Sequence, residues 1–223
     1  MMNNKSYSWK KTEIFGLSFI ILFIIVNAIV NNDSYIALIS AVCGITYTFI
    51  AGKGNPICYL FGLTGSGFYS FLSLQNLLWG QLFLYLGYYI PMQITGFFKW
   101  KRNLKENSNE IKKIRLPKIE MLILLFILLI VGIFVFYLLS NYNDKHPLLD
   151  TITAVMSIGG MYLTVRRAIE QWIFWMVVNF FSLILWIIVA LSGKPVYSTI
   201  IMWAVYLFLA VYFYRDWKKE LKE

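Results

Sequence analysis

The chain has 223 residues, of which 59% are hydrophobic and only 14% charged, with a mean hydropathy of +0.65. A globular domain is about 45–50% apolar and about 25% charged, so these proportions exclude a water-soluble domain and indicate a polytopic membrane protein embedded in a lipid bilayer. The formal charge of +9 does not indicate nucleic-acid binding, because the basic residues cluster in short loops between apolar runs, as membrane topology requires.

A membrane helix needs roughly 20 mostly apolar residues, and eight stretches qualify: about 14–31, 35–51, 57–75, 81–99, 119–140, 148–165, 171–191 and 197–214. The first follows the basic start "KSYSWKK" but lacks a small-residue cleavage pattern before "NNDSY", so it is expected to remain as a span. The breaks "NNDS", "GKGNP", "QNLLWG", "NYNDKHP", "RRAIE" and "SGKP" are mostly marked by glycine, proline and asparagine. The longest break is the charged "KWKRNLKENSNEIKKIRLPK". With eight spans, 18 of the 20 lysines and arginines fall on the side that holds both termini, leaving Lys145 and Lys194 on the other. That split places both termini in the cytoplasm of a multi-pass protein of the cell membrane.

A shift of 113 positions lays "ISAV" at Ile39 over "ITAV" at Ile152 and holds without a gap as far as Gly80 over Gly193. It matches nine residues in 42 positions: Ile39, Ala41, Val42, Ile45, Phe61, Phe68, Leu72, Leu78 and Gly80. Spans two to four then correspond to spans six to eight, with span five as a connector. Four membrane crossings separate the two units, so both start on the same face and the repeat is parallel. The expected division is an extra helix over 1–34, a first three-helix bundle over 35–100 and a basic cytoplasmic loop over 101–118. A linker helix with its outer loop over 119–146 and a second bundle with a cytoplasmic tail over 147–223 complete it.

Ionisable chemistry is nearly absent from the span interiors. Asp33, Asp144, Asp150 and His146 fall in outward loops, and Glu13, Glu120 and Glu170 at span edges. Ion-coupled carriers keep buried charges for use, so passive solute movement is expected. Metal or cofactor chemistry, ATP hydrolysis and intramembrane proteolysis lack their residues; the two cysteines, Cys43 and Cys58, form no metal motif. No cofactor and no enzymatic activity are expected.

Neutral polar groups are abundant by contrast. In "EQWIFWMVVN", Trp172, Trp175 and Asn179 fall on one narrow helical face, since a helix turns about 100° per residue. Two indoles and one carboxamide suit a flat ring-shaped ligand, and an amide this deep in a span needs a partner. Gln81, Tyr85, Tyr88 and Tyr89 line one face of span four, and Gln93 adds a second amide to that span. Under the repeat, Tyr59, Gly62 and Ser66 stand in the places of Trp172, Trp175 and Asn179. This asymmetry of bulk suits a site between two pseudo-symmetric bundles.

These features resemble the PnuC family of vitamin-precursor transporters. The likeness rests on the W-x-x-W-x-x-x-N string of Trp172, Trp175 and Asn179, and on "QITGFFKW" with Gly96 and Trp100 closing the first repeat. It covers nearly the whole chain: an extra helix, three spans, a connector and three more. The resemblance implies an all-α, SWEET-like membrane protein and facilitated diffusion of nicotinamide riboside, with Trp172, Trp175 and Asn179 contacting it. It also implies a functional link to a cytoplasmic kinase that traps the cargo by phosphorylation. A tryptophan face attracts a flat pyridinium cation by roughly 0.5–2 kcal/mol. Thiamine is a flat cation too and stays an alternative cargo on the same scaffold, as does another flat vitamin or nucleoside. An assembly or sensor protein that carries nothing is the alternative from another class. Oligomeric state stays open, a homo-oligomer included.

Overall fold

The computed structural model describes residues 11–30, 35–75, 79–142, 146–191 and 197–222. Its regular elements are helical: α1 Lys11–Val30, α2 Tyr35–Gly52, α3 Cys58–Gln75, α4 Trp79–Leu84, a π-helical turn Tyr85–Tyr89, α5 Ile90–Lys101, α6 Lys118–Asn141, α7 Pro147–Val165, α8 Gln171–Leu191 and α9 Tyr197–Glu220. Each expected span coincides with one of these rods, the fourth being built from α4, the π-turn and α5. Among the described residues, five stretches are long and apolar enough to cross a membrane: α1, α6, α7, Gln171–Ile188 of α8 and Ile200–Glu220 of α9. A shorter apolar stretch, Leu38–Gly52, lies in α2. The eight expected spans exceed these five because the apolar part of α2 is short, α3 carries several hydroxyls, and the π-turn divides the fourth rod into short helices. The loop residues Asp33, Asp144, Lys145 and Lys194 lie outside the described residues.

The chain divides into two compact units, Met1–Lys112 and Lys113–Glu223, and the division falls inside the basic 101–118 stretch. In the first unit α2 packs on α3, and α3 on α5. Ile45, Phe49, Cys58, Tyr59 and Trp100 form its interior. On α1, Glu13 and Ala28 are the buried residues. Glu13 forms a buried ion pair with Lys53 at the end of α2. After α5 the chain folds back, and the Ile111 amide donates to the Gly54 carbonyl at 2.9 Å.

In the second unit α8 packs against both α7 and α9. Leu124 and Leu128 of α6 join Val155 and Leu163 of α7 and Phe174 of α8 in one apolar cluster. Much of α6 turns outward, with Leu122, Phe126, Ile130 and Phe134 more than half exposed, an apolar surface suited to a lipid bilayer. Pro147 opens α7 in its first turn, where the missing N–H has no helical partner to lose.

The turns after α2 and after α7 have the same construction, and they correspond under the register of the sequence repeat. The Gly54 amide donates to Ala51 O at 2.9 Å and the Asn55 amide to Ile50 O at 3.3 Å. In the second unit the Arg167 amide donates to Thr164 O and the Ala168 amide to Leu163 O, both at 3.0 Å. Paired bonds of this kind close a helix through one left-handed residue, and that residue is Gly54 (φ 69) in one unit and Arg167 (φ 63) in the other. The next helices begin alike: the Tyr59 amide donates to Pro56 O and the Trp172 amide to Ile169 O, each at 3.1 Å. The register read from sequence identities therefore recurs in the hydrogen bonds.

Candidate functional site

The turn at 166–170 sets where α8 begins, and so where its aromatic stripe lies. The Glu170 carboxylate accepts from the Leu116 amide at 3.1 Å, and Ile114 brackets the turn, its amide donating to Arg167 O and its carbonyl accepting from Ile169 N. Burial, then the adjacent Arg166 charge, draws the Arg167 guanidinium below its usual range.

As the second residue of α8, Trp172 is 2% exposed. Its ring lies 5.4 Å from Phe213 and stands edge-on to Trp217 at 5.6 Å, both on α9. Its Nε1–H is buried and meets no acceptor among the described residues. Trp175 is half-buried and leans the other way, toward α7. Its Nε1–H donates to Thr164 Oγ1 at 3.1 Å, and the Thr164 hydroxyl donates to Gly160 O at 2.8 Å. Asn179 is buried, at 6% exposure. The three residues thus share one stripe of α8, but the two indoles reach different neighbours. The offset of about 60° between them is enough to send one to α9 and the other to α7.

In the first unit the site is differently furnished. Gln93 is buried on α5, its Nε2 donating to Ser66 Oγ at 2.9 Å, while its Oε1 accepts nothing among the described residues. Ser70 Oγ donates to Ser66 O at 2.7 Å. The Tyr47 ring and Gln93 Oε1 both crowd the open side of Gly62, and the Tyr47 hydroxyl has no hydrogen-bond partner among the described residues. Tyr59, the counterpart of Trp172, stands edge-on to Trp100 at 5.1 Å. Tyr59 and Trp172, matched by the repeat register, each pack on a ring of a later helix, Trp100 and Phe213 respectively.

The tyrosine face of the fourth rod is bent by the π-turn. Tyr85 lies 4.5 Å from Tyr69 and 4.9 Å from Tyr89, and Tyr88 lies 5.7 Å from Tyr89. The side chain of Gln81 lies outside the described residues. The carboxylates at the span edges are all engaged: Glu13 with Lys53, Glu120 with Tyr162 and Arg166 at 2.6 Å each, and Glu170 as above. Among the described residues there is no group of three metal-binding side chains.

Sequence reasoning misses Thr164 and Gly160, which hold the Trp175 indole. The pair Gly159–Gly160, one turn before a threonine, is the signal that could find them, because small residues mark where membrane helices approach closely.

A family model described as nicotinamide mononucleotide transporter matches residues 34–219. A nicotinamide riboside transporter PnuC of Neisseria mucosa is 31% identical across 97% of this chain and 88% of its own length. The protein of the same name from Haemophilus influenzae is 27% identical across 96% of this chain and 92% of its own. Among solved structures, a crystal structure of the vitamin B3 transporter PnuC superposes with a TM-score of 0.80 at 30% identity, covering 96% of this chain and 94% of that one.

Proposed function

We propose that this chain, which belongs to the nicotinamide mononucleotide transporter family, carries nicotinamide riboside across the cell membrane by facilitated diffusion. The α8 stripe carries the reading. Trp175 supplies an oriented indole for a flat cationic ring, worth roughly 0.5–2 kcal/mol, and Asn179 supplies a buried carboxamide that can both donate and accept. Trp172, whose ring packs on Phe213 and Trp217, contributes its unpartnered N–H instead of its face. Gln93, Tyr85, Tyr88 and Gln81 are the corresponding candidates in the first unit.

The family model's description names the mononucleotide, and the relatives' names specify the riboside. The relatives' names favour the riboside, and the two groups that hold the Trp175 indole, Thr164 and Gly160, offer no charge to a phosphate. A phosphate dianion there would need a cationic partner to offset its desolvation. The engagement of Glu13, Glu120 and Glu170 in structural contacts supports uniport, with no ion carried alongside the solute. Direction would then come from a cytoplasmic kinase that phosphorylates the riboside and so traps it.

The wider architecture goes with this reading. Eight spans form two parallel three-helix bundles joined by α6, in the SWEET-like manner, with α1 outside the repeat and both termini cytoplasmic. The recurrence of the turn geometry in the repeat register and the 18-to-2 split of basic residues support it.

Calorimetric titration of the purified protein with nicotinamide riboside, its mononucleotide, thiamine and riboflavin tests the cargo. Saturable binding of the riboside at least tenfold tighter than the others is expected. Preference for thiamine or the mononucleotide would overturn the assignment, and binding of none would favour an assembly or sensor role.

A further inference from the structure

Trp175 can offer a solute either its ring face or its N–H, and the structure has already committed the N–H. That hydrogen is donated to Thr164 Oγ1, and the Thr164 hydroxyl is held by its own bond to Gly160 O. Thr164 is 1% exposed, so water cannot substitute for it. The third contact is steric. A Cβ placed on Gly160 would lie 3.2 Å from Cε2 and 3.3 Å from Cζ2 of the same indole, so the ring lies directly against the α7 backbone. One edge of the indole is thus fixed by a bond and part of its surface by a bare backbone, which leaves it little freedom to rotate.

We propose that Thr164 and Gly160 are positioning residues for substrate recognition: they lock the Trp175 indole so that it meets the solute with its π surface and never with its N–H. This rests on the reading that Trp175 contacts the cargo. It goes further by assigning the two tryptophans different chemistry. Trp175 recognises the flatness and charge of the ring, whereas Trp172 leans onto Phe213 and Trp217 with its N–H buried and without an acceptor among the described residues. A locked ring also explains discrimination without new contacts, because a preorganised wall loses no rotamer freedom when the solute arrives.

Riboside binding and uptake by purified, reconstituted full-length protein test this. Thr164→Val keeps the shape and removes the hydroxyl, and Thr164→Ser restores it; Thr164→Ala is a second hydroxyl-free variant should valine impair folding. The hydroxyl-free variants are expected to weaken the riboside Kd about three- to tenfold and to raise KM by a similar factor with little change in the maximal rate. Thr164→Ser should bind as the parent does. Trp175→Phe, which has no N–H, should make the protein indifferent to Thr164→Val, so that the double variant binds no worse than Trp175→Phe alone. Parent-like binding by Thr164→Val, or serine as weak as valine, would overturn the proposal, provided Trp175→Ala loses binding in the same assay. If Trp175→Ala itself binds normally, the site reading under Proposed function fails, and the proposal fails with it.

Discussion

Gly54 and Arg167, matched positions of the internal repeat, hold the same left-handed backbone conformation, at φ 69 and φ 63, each closing a helix through the same pair of amide bonds. One unit meets the demand with the residue that has no Cβ, the other with an arginine. The two turns therefore share their backbone geometry although the residue at the left-handed position differs.

Both positions should favour glycine over alanine. A left-handed residue with a Cβ costs about 1–2 kcal/mol, partly offset by the smaller chain entropy lost on folding. Gly54→Ala should destabilise the protein by about 1 kcal/mol, and Arg167→Gly should be more stable than Arg167→Ala by about 1 kcal/mol, since both lose the guanidinium's contacts and only alanine keeps the backbone strain. Unfolding of the detergent-solubilised variants followed by circular dichroism reads both. A stabilising Gly54→Ala would show that the turn can adopt another conformation.

Glu13 is the polar anchor of α1, a helix otherwise turned outward. Both side chains of its pair with Lys53 are at most 6% exposed, so Glu13→Gln leaves a buried ammonium without its carboxylate and should cost about 3–5 kcal/mol. Adding Lys53→Met should recover part of that loss, because the buried ammonium that lost its carboxylate leaves with it. Thermal melts of the single and double variants decide; a double variant less stable than Glu13→Gln alone would rule this out.

Gly96 lies where Tyr59 crosses α5: a Cβ there would sit 2.4 Å from the ring carbon Cζ and 2.5 Å from the hydroxyl. The ring cannot retreat freely, because it stands against Trp100, which is fully buried. Gly96→Ala should cost about 1–3 kcal/mol through overpacking, seen as a lowered melting temperature. An unchanged melt would mean that the α3–α5 contact is looser than these distances imply.

How much of this can be read in sequence depends on the range of the interaction. The helical rods are legible because apolar runs are long and are cut by glycine, proline and asparagine. The repeat is legible in "ISAV" and "ITAV", and its register survives in the turns because backbone geometry constrains them more than side-chain identity does. The π-turn at Tyr85–Tyr89 is not legible: a widened turn is settled by packing such as that of Tyr69 on Tyr85, and composition does not announce it. Nor is the Glu13–Lys53 pair, which joins residues 40 positions apart. In the site, the string Trp172, Trp175 and Asn179 stands out as a stripe, but which way each indole leans depends on Phe213, Trp217 and Thr164, on two other helices. Helical spacing places Cβ atoms on a face; it does not say which neighbour a large ring will choose.

Asn179 is buried in α8 at a depth where an amide needs a partner. Asn179→Ala should weaken riboside binding by about tenfold or more with a melting temperature close to the parent's. Titration of the purified variant reads the affinity directly, and parent-like binding would remove Asn179 from the site.

Passive carriage is tested most directly by riboside flux into proteoliposomes with no ion gradient and the membrane potential clamped at zero. Radiolabelled nicotinamide riboside should enter saturably, stop when inside and outside concentrations are equal, and be indifferent to an uncoupler. Accumulation above the outside concentration that depends on an imposed proton or sodium gradient, or entry no faster than into protein-free liposomes, would contradict it.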